Sequence, residues 1–375
     1  MTVEVRLQHR FGDFSLDAQF AAGMGVTALF GPSGSGKSTV VNAVSGLLEP
    51  DAGRIVVGDD VLFDSTAGIA LPTWRRRIGY VFQDARLLPH LTVRQNLLFG
   101  RWLRRRDVAA AGTGAIALEH VVDVLNLGHL LGRRPGALSG GEKQRVGIGR
   151  ALLSCPRMLL MDEPLASLDH ARRLEVLDYL NRIRHELKLP VLYVTHSLDE
   201  VMRLADQVVL FREGRTISQG APADVLNVHR DALDGTAESP GTVLETRIVA
   251  HDTRYGLTEL AVNGNDTVRL RVPRAGGEPG EACRILVRER DVAVATEPPA
   301  GTSVLNVLRA RVSGLRDLGD AVEVSATLLA DTTTSGTRGA PTTLRARITR
   351  YSADQLQLDA DREVYLLIKS VALTR

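Results

Sequence analysis

The chain of 375 residues has almost no net charge: 46 Lys and Arg stand against 44 Asp and Glu, a formal +2. That balance argues against a whole-chain binder of nucleic acid or of acidic membranes. Lysine is scarce. Lys37, Lys143, Lys188 and Lys369 are the only ones, so positive charge is carried by arginine, including the runs Arg75-Arg76-Arg77 and Arg104-Arg105-Arg106, which read as solvated surface. Cysteine is scarcer: Cys155 and Cys283 lie far apart without metal-ligand spacing. This excludes a disulfide framework and suits buried free thiols in a reducing compartment. No stretch reaches the ~18 apolar residues of a spanning helix, and residues 1–8 alternate charged with apolar types instead of building the core of a signal peptide. A cytoplasmic protein is expected, with any membrane role exercised through a partner.

With 44% hydrophobic residues the chain can bury more than one core, and its length suggests two domains or a little more. Residues 1–230 alternate short apolar runs with helical patterns, the βαβ rhythm of a parallel sheet covered by helices. Residues 26–30, 78–82, 158–161 and 191–195 have the look of buried strands, and a chemically loaded residue follows each. Residues 39–48, 115–127, 142–153 and 171–187 carry helical spacing, and 208–217 reads as a closing hairpin. The patternless segment 231–240 is the expected linker. Beyond it, residues 241–375 form an all-β region: 242–250, 257–262, 267–272, 284–287, 322–328, 344–348 and 364–368 are strand-length runs with Gly-rich turns, as in small barrels. A short echo points to two units, since Leu286-Val287-Arg288 before Val292-Ala293-Val294 resembles Leu367-Ile368-Lys369 before Val371-Ala372-Leu373.

Gly31-Pro32-Ser33-Gly34-Ser35-Gly36-Lys37-Ser38-Thr39 satisfies G-x-x-x-x-G-K-[ST] between a predicted strand and a predicted helix. Glycines let backbone N–H groups turn onto phosphates, the helix N-terminus adds partial positive charge, Lys37 reaches the β/γ-phosphates, and Ser38 can ligate Mg²⁺. The apolar strand 158–161 ends in Asp162, suited to hold the metal, and Glu163, suited to act as base toward the attacking water. Leu138-Ser139-Gly140-Gly141-Glu142 has capping-box spacing and opens a helix, a second potential anion site.

These three elements in this order, with Gln83, Asp169 and His196 after their own segments, resemble the ATP-binding-cassette family over residues 1–230. The resemblance implies a P-loop NTPase cassette working as a homodimer, with ATP held between residues 31–39 of one copy and Ser139, Gly140, Gly141 and Glu142 of the other. It also implies that Gln83 senses Mg²⁺ and the attacking water, that His196 contacts the γ-phosphate, and that Asp169 bridges the two sites. Phe11 is the candidate for stacking on adenine, with Phe14 its competitor.

More narrowly, the strings from Gly79 to His90 and from Asp162 to Asp169 are similar to those of ATP-binding subunits of bacterial molybdate importers. Residues 302–310, 344–349 and 367–370 are similar to the OB-like, oxyanion-binding Mop domain, placed at about 302–375. Carried over, Ser303, Asn306, Arg309, Lys369 and Ser370 are the candidates for holding molybdate or tungstate. This likeness implies two integral-membrane permease subunits, an external molybdate-binding protein, a peripheral place on the cytoplasmic face of the inner membrane, and no nucleic-acid partner. A sulfate, polyamine or sugar importer, or a soluble oxyanion-binding protein, is the alternative.

Overall fold

The computed structural model describes all residues except 1, 104–115, 167, 187–188, 230–240, 263–264, 330–340, 370 and 375. The expected linker, the run Arg104-Arg105-Arg106 and Ser370 therefore lie outside the described residues. Contacts divide the rest into two compact units, one ending at Val225 and the other beginning at Leu226.

The first unit is built on one sheet. In chain order its strands are β1 (Val3–Phe11), β2 (Phe14–Ala22), β3 (Gly25–Phe30), β4 (Ala52–Val57), β5 (Asp60–Asp64), β6 (Ile69–Ala70), β7 (Ile78–Val81), β8 (Met158–Asp162), β9 (Pro190–Thr195), β10 (Gln207–Arg212) and β11 (Arg215–Gly220). Their spatial order is β6-β5-β4-β1-β2-β11-β10-β3-β9-β8-β7. The stretch from β10 to β7 is parallel throughout. Strands β8 and β9 are buried on both faces, as near-continuous apolar runs require. Alternate residues feed opposite cores: Leu159, Met161 and Tyr193 pack on one side, Met158, Leu160 and Leu192 on the other.

The βαβ rhythm expected from residue 1 holds only in that parallel half. Strands β1, β2, β4, β5 and β6 pair antiparallel, and Val3, Val5 and Leu7 are buried while Glu4 and Arg6 face out, the period of a one-sided sheet. The helices here are α1 (Lys37–Ser45), α2 (Val93–Leu103), α3 (Leu118–Val124), α4 (Gly140–Leu153), α5 (His170–Glu186) and α6 (Leu198–Leu204). Helix α2 has no counterpart in the sequence reading.

Reading all of Arg75-Arg76-Arg77 as solvated surface is wrong for Arg76, which is 4% exposed. Its guanidinium donates to Ala43 O at 2.7 Å, Val44 O at 3.0 Å and Leu71 O at 2.7 Å, and so caps the C-terminal carbonyls of α1. Gly46 leaves room for it, because a Cβ there would stand 2.6 Å from the Arg76 Nε.

The second unit holds β12 (Gly241–Asp252), β13 (Leu257–Val262), β14 (Asn265–Pro273), β15 (Ala282–Arg288), β16 (Val292–Ala295), β17 (Asn306–Asp317), β18 (Ala321–Leu328), β19 (Thr343–Thr349), β20 (Glu363–Ile368) and β21 (Ala372–Thr374). They form two sheets, β14-β13-β12-β15-β21 and β16-β20-β17-β18-β19. The registers repeat between the sheets. Ile248 pairs with Leu260 and Val312 with Ala326, each just before a bulge; Leu260 then pairs with Leu270 and Ala326 with Leu344. Leu286 lies between Val243 and Ala372, and Leu367 between Val307 and Ala293. The short strand after each half is exchanged, β16 pairing with β20 and β21 with β15, so both halves share one core around Leu270, Ile285, Val312 and Leu366.

Candidate nucleotide site

Strands β3, β9, β8 and β7 are neighbours, so the residues leaving their C-terminal ends converge, which is where open α/β sheets bind ligands. After β3 the chain turns through Gly34 (φ 78°) and Gly36 (φ 96°), a left-handed conformation that side chains resist, and enters α1. Gly36 is the N-cap and brings no side-chain cap, so the first N–H groups of α1 stay available to an anion. Lys37 is 4% exposed, its Nζ donating to Gly31 O at 2.8 Å, Pro32 O at 2.7 Å and Ser35 Oγ at 3.3 Å. Burial lowers its pKa, while Glu163 and Asp162 oppose that shift. Of the two aromatic candidates, Phe14 packs beneath the loop, 3.3 Å from where a Gly36 Cβ would be. Phe11 is 47% exposed and lines a cavity of about 450 Å³ with Thr39, Gln83 and Asp162, leaving its surface to a ligand.

Ser38 Oγ donates to Asp162 Oδ1 at 2.9 Å, so a hydroxyl and a carboxylate from separate elements meet at one point. Hard oxygen donors of this kind suit Mg²⁺, which takes one or two carboxylates and completes its shell with phosphates and water. Burial raises the Asp162 carboxyl, offset by hydrogen bonds from Ser38 and Tyr80. Glu163 adopts φ 44°, a strained value for a non-glycine residue. Its N–H is tied to Val194 O at 3.1 Å, and its Oε1 lies 3.2 Å from His196 Nδ1. Asp162 pairs with Val194 across β8 and β9, which makes Glu163 and His196 emerge side by side. Gln83 is exposed on the cavity wall, next to a segment held by α4: Gln144 donates to Phe82 O at 3.3 Å, and Arg150 to Ala85 O and Arg86 O, both at 2.8 Å.

The second anion site is less open than expected. Ser139 caps α4 and receives the Glu142 N–H at 3.3 Å, while Glu142 Oε2 receives the Ser139 N–H at 2.6 Å. The box consumes a lone pair of Ser139 but leaves its O–H proton free to donate. Gly141 packs under the Arg172 stem, and Arg172 pairs with Asp169 at 3.3 Å. Asp169 also accepts the Arg172 N–H at 3.0 Å, an N-terminal cap of α5. Among the described residues, Ser139, Gly140, Gly141 and Glu142 do not line the cavity of Thr39 and Asp162.

The tail candidates do not come together as a ligand shell. The Asn306 carboxamide accepts the Arg271 N–H at 2.6 Å and donates to Arg271 O at 2.8 Å, which ties β17 to β14 and leaves little for an oxyanion. Arg309 is paired with Glu363 at 3.1 Å, and the same carboxylate takes Arg311 at 3.2 Å. Ser303 and Lys369 are exposed, and Ser370 is outside the described residues. Cys155 and Cys283 are free thiols, half-buried rather than buried.

The family model of the ABC transporter matches residues 16–166, and that of the TOBE domain residues 302–374. Proteins named molybdenum import ATP-binding protein ModC align over the whole chain. That of Mesorhizobium japonicum is 45% identical over 377 residues, covering 100% of this chain and 96% of its own. That of Rhizobium johnstonii is 44% identical, covering 100% and 99%. The chain belongs to the ModC family of ABC transporter proteins. Solved cassettes share its fold. The structure of cbiO1 from Clostridium perfringens, part of the ABC transporter complex cbiONQ, is 29% identical with a TM-score of 0.50 over 61% of this chain and 91% of that one. A nucleotide-free ATP-binding cassette from an ABC transporter is 24% identical with a TM-score of 0.52, over 64% and 99%.

Three polar residues of this ModC-family chain escaped sequence reasoning. Arg76 and Arg150 sit in stretches where arginine is abundant, and nothing local separates a buried one from a solvated one. Tyr80, whose phenol is pushed well above the ordinary tyrosine value by burial and by the Asp162 carboxylate, donates toward Asp162 Oδ2 at 3.3 Å. Strand periodicity could have flagged it: Tyr80 is opposite Leu160, two residues and hence one face from Asp162.

Proposed function

We infer that this chain is the ATP-hydrolysing subunit of a molybdate importer. The observation that carries the reading is the meeting of Ser38 with Asp162 and of Glu163 with His196 at the ends of adjacent parallel strands, in a chain alike from end to end to molybdenum import ATP-binding proteins. ATP would lie along residues 31–39 with adenine against Phe11; the loop N–H groups and Lys37 would hold the phosphates, and Ser38, Asp162 and Gln83 would hold Mg²⁺. When bound, the metal offsets charge on the β- and γ-phosphates. Glu163 Oε1 receives a proton from the attacking water, and His196, held against it, orients toward the γ-phosphate.

Two copies complete each other: Ser139 and Gly141 of a second copy cover the phosphates, and Asp169 links the sites. Among the described residues no helix is long and apolar enough to cross a membrane, which fits a peripheral subunit on the cytoplasmic face of the inner membrane. It would drive two permease subunits fed by an external molybdate-binding protein. Glu163→Gln should lower ATP turnover by ~10²-fold or more, as loss of a general base does, with nucleotide binding retained. Normal phosphate release by that variant in the assembled transporter would reject the assignment.

Regulation of the ATPase by molybdate or tungstate bound to the tail is a second part of the reading, supported by the likeness of residues 302–310, 344–349 and 367–370 to oxyanion-binding barrels. Since Asn306 and Arg309 already have partners, the exposed Lys369 with Ser303 and Ser370 is the set left to receive the oxyanion. Equilibrium dialysis of the full-length dimer against molybdate, tungstate and sulfate tests this, and retention of none of the three would remove the sensing role.

A further inference from the structure

The metal carboxylate has a second hydroxyl on it that the nucleotide motifs do not account for. Tyr80 stands on β7 opposite Leu160 of β8, so its side chain shares a face with Asp162 two residues on, and a long side chain spans that diagonal. The phenol oxygen is 3.3 Å from Asp162 Oδ2 and 3.1 Å from Asn42 Oδ1. Asn42 lies four residues after Ser38 on α1, on the same helical face, and Ser38 Oγ holds Asp162 Oδ1 at 2.9 Å. One hydroxyl has one proton, and two acceptors compete for it. With the Asn42 amide turned over, its NH₂ donates to the phenol oxygen and the phenol proton goes to Asp162, so every group has a partner. The ring is fixed as well: it stacks on Phe82 at 4.0 Å and 30°, and the Arg86 guanidinium covers Phe82 at 4.3 Å.

We propose that Tyr80 is a positioning residue for the metal site, its hydroxyl holding Oδ2 of Asp162 so that Oδ1 stays beside Ser38 to receive a hard divalent cation. The inference rests on the reading of Asp162 as the metal carboxylate. A carboxylate free to rotate about its last bond would present Oδ1 to the cation only part of the time, and both Ser38 and Tyr80 restrict that rotation. Because Phe82 packs on the same ring and Gln83 follows it, the loop reaching the cavity is linked to the carboxylate through two stacked aromatics.

Tyr80→Phe keeps the ring and its stacking and removes only the hydroxyl, so it tests the hydrogen bond without opening a cavity. Mn²⁺ binding to the full-length protein, followed by electron paramagnetic resonance with adenylyl imidodiphosphate present, is the readout. Tyr80→Phe should weaken Mn²⁺ binding about threefold to tenfold, the loss of one hydrogen bond, and leave affinity for the metal-free nucleotide unchanged in EDTA. Wild-type Mn²⁺ affinity in Tyr80→Phe overturns the proposal, since phenylalanine would then replace tyrosine as mere packing. If instead Asp162→Asn binds Mn²⁺ like the wild type, the metal reading of Asp162 is itself wrong and the role of Tyr80 falls with it.

Discussion

In the cassette, Ser38 and Asp162 meet at 2.9 Å and Glu163 and His196 at 3.2 Å, and the cavity beside them is open to Phe11, Thr39 and Gln83. In the tail, the residues that carry the likeness to oxyanion-binding barrels behave differently: Asn306 clasps the Arg271 backbone and Arg309 is held by Glu363. Topology explains the contrast. A parallel sheet delivers the ends of neighbouring strands to one edge, where backbone and side chains still need partners; the paired antiparallel sheets of the tail satisfy their polar groups across the ladder and between halves. Likeness of fold therefore supports a site in the first region more strongly than in the second.

The largest expected effect comes from Lys37→Ala, which removes the charge from the phosphate loop and leaves the Gly31 and Pro32 carbonyls without their donor. Nucleotide affinity measured by fluorescent-analogue displacement should fall about 100-fold, the upper range for a charged hydrogen bond. A fall below threefold would place the phosphates elsewhere. Next is Arg76→Ala, which strips donors from two carbonyls at the end of α1, those of Ala43 and Val44, and from that of Leu71, and should cost about 2 kcal/mol in urea unfolding. Exposed Arg75→Ala should cost less than about 0.5 kcal/mol, so equal effects would contradict the capping role.

These two lysine and arginine positions mark how far the sequence could be read. The loop around Lys37 was legible because its spacing, glycines and strand-to-helix context are local, and so were Asp162, Glu163 and His196, each ending an apolar run. The parallel strands and the tail strands β13 and β20 followed from period and length. What escaped depends on contacts distant in sequence: burial of Arg76 against α1, the hold of Arg150 on residues 85 and 86, and the reach of Tyr80 to Asp162. The antiparallel wing was misread because its short alternating strands were grouped with the βαβ rhythm that follows them. The repeat in the tail showed only as a brief echo, since pairing registers conserve geometry while side chains vary.

Smaller effects sharpen the tail's side of the contrast. Asn306→Ala should lower stability by about 1 kcal/mol and leave molybdate retention unchanged, whereas Lys369→Ala should reduce retention without loss of stability; the opposite pattern would restore Asn306 as a ligand. The smallest concerns Glu142, whose carboxyl is held below the usual range chiefly by the Ser139 N–H. A depressed folded-state pKa contributes stability above the ordinary carboxylate range, and that contribution is lost as pH falls through the depressed value. Glu142→Ala should thus be less stable than wild type at neutral pH, by under about 1 kcal/mol, with the gap closing in acid. A gap independent of pH in urea titrations would remove the ionised capping box.

In the proposed dimer, residues 31–39 form half a site, completed by Ser139 and Gly141 of a second copy. Sedimentation of Glu163→Gln with Mg-ATP, alone and combined with Gly141→Asp, tests it most directly; an acidic residue suits a helix N-terminus, so the second change should fold, yet it opposes a phosphate. Glu163→Gln should pair on ATP with one nucleotide bound per chain, and the double variant should bind nucleotide with similar affinity but stay single. Pairing that persists in the double variant, or nucleotide binding lost from it, would contradict the shared site.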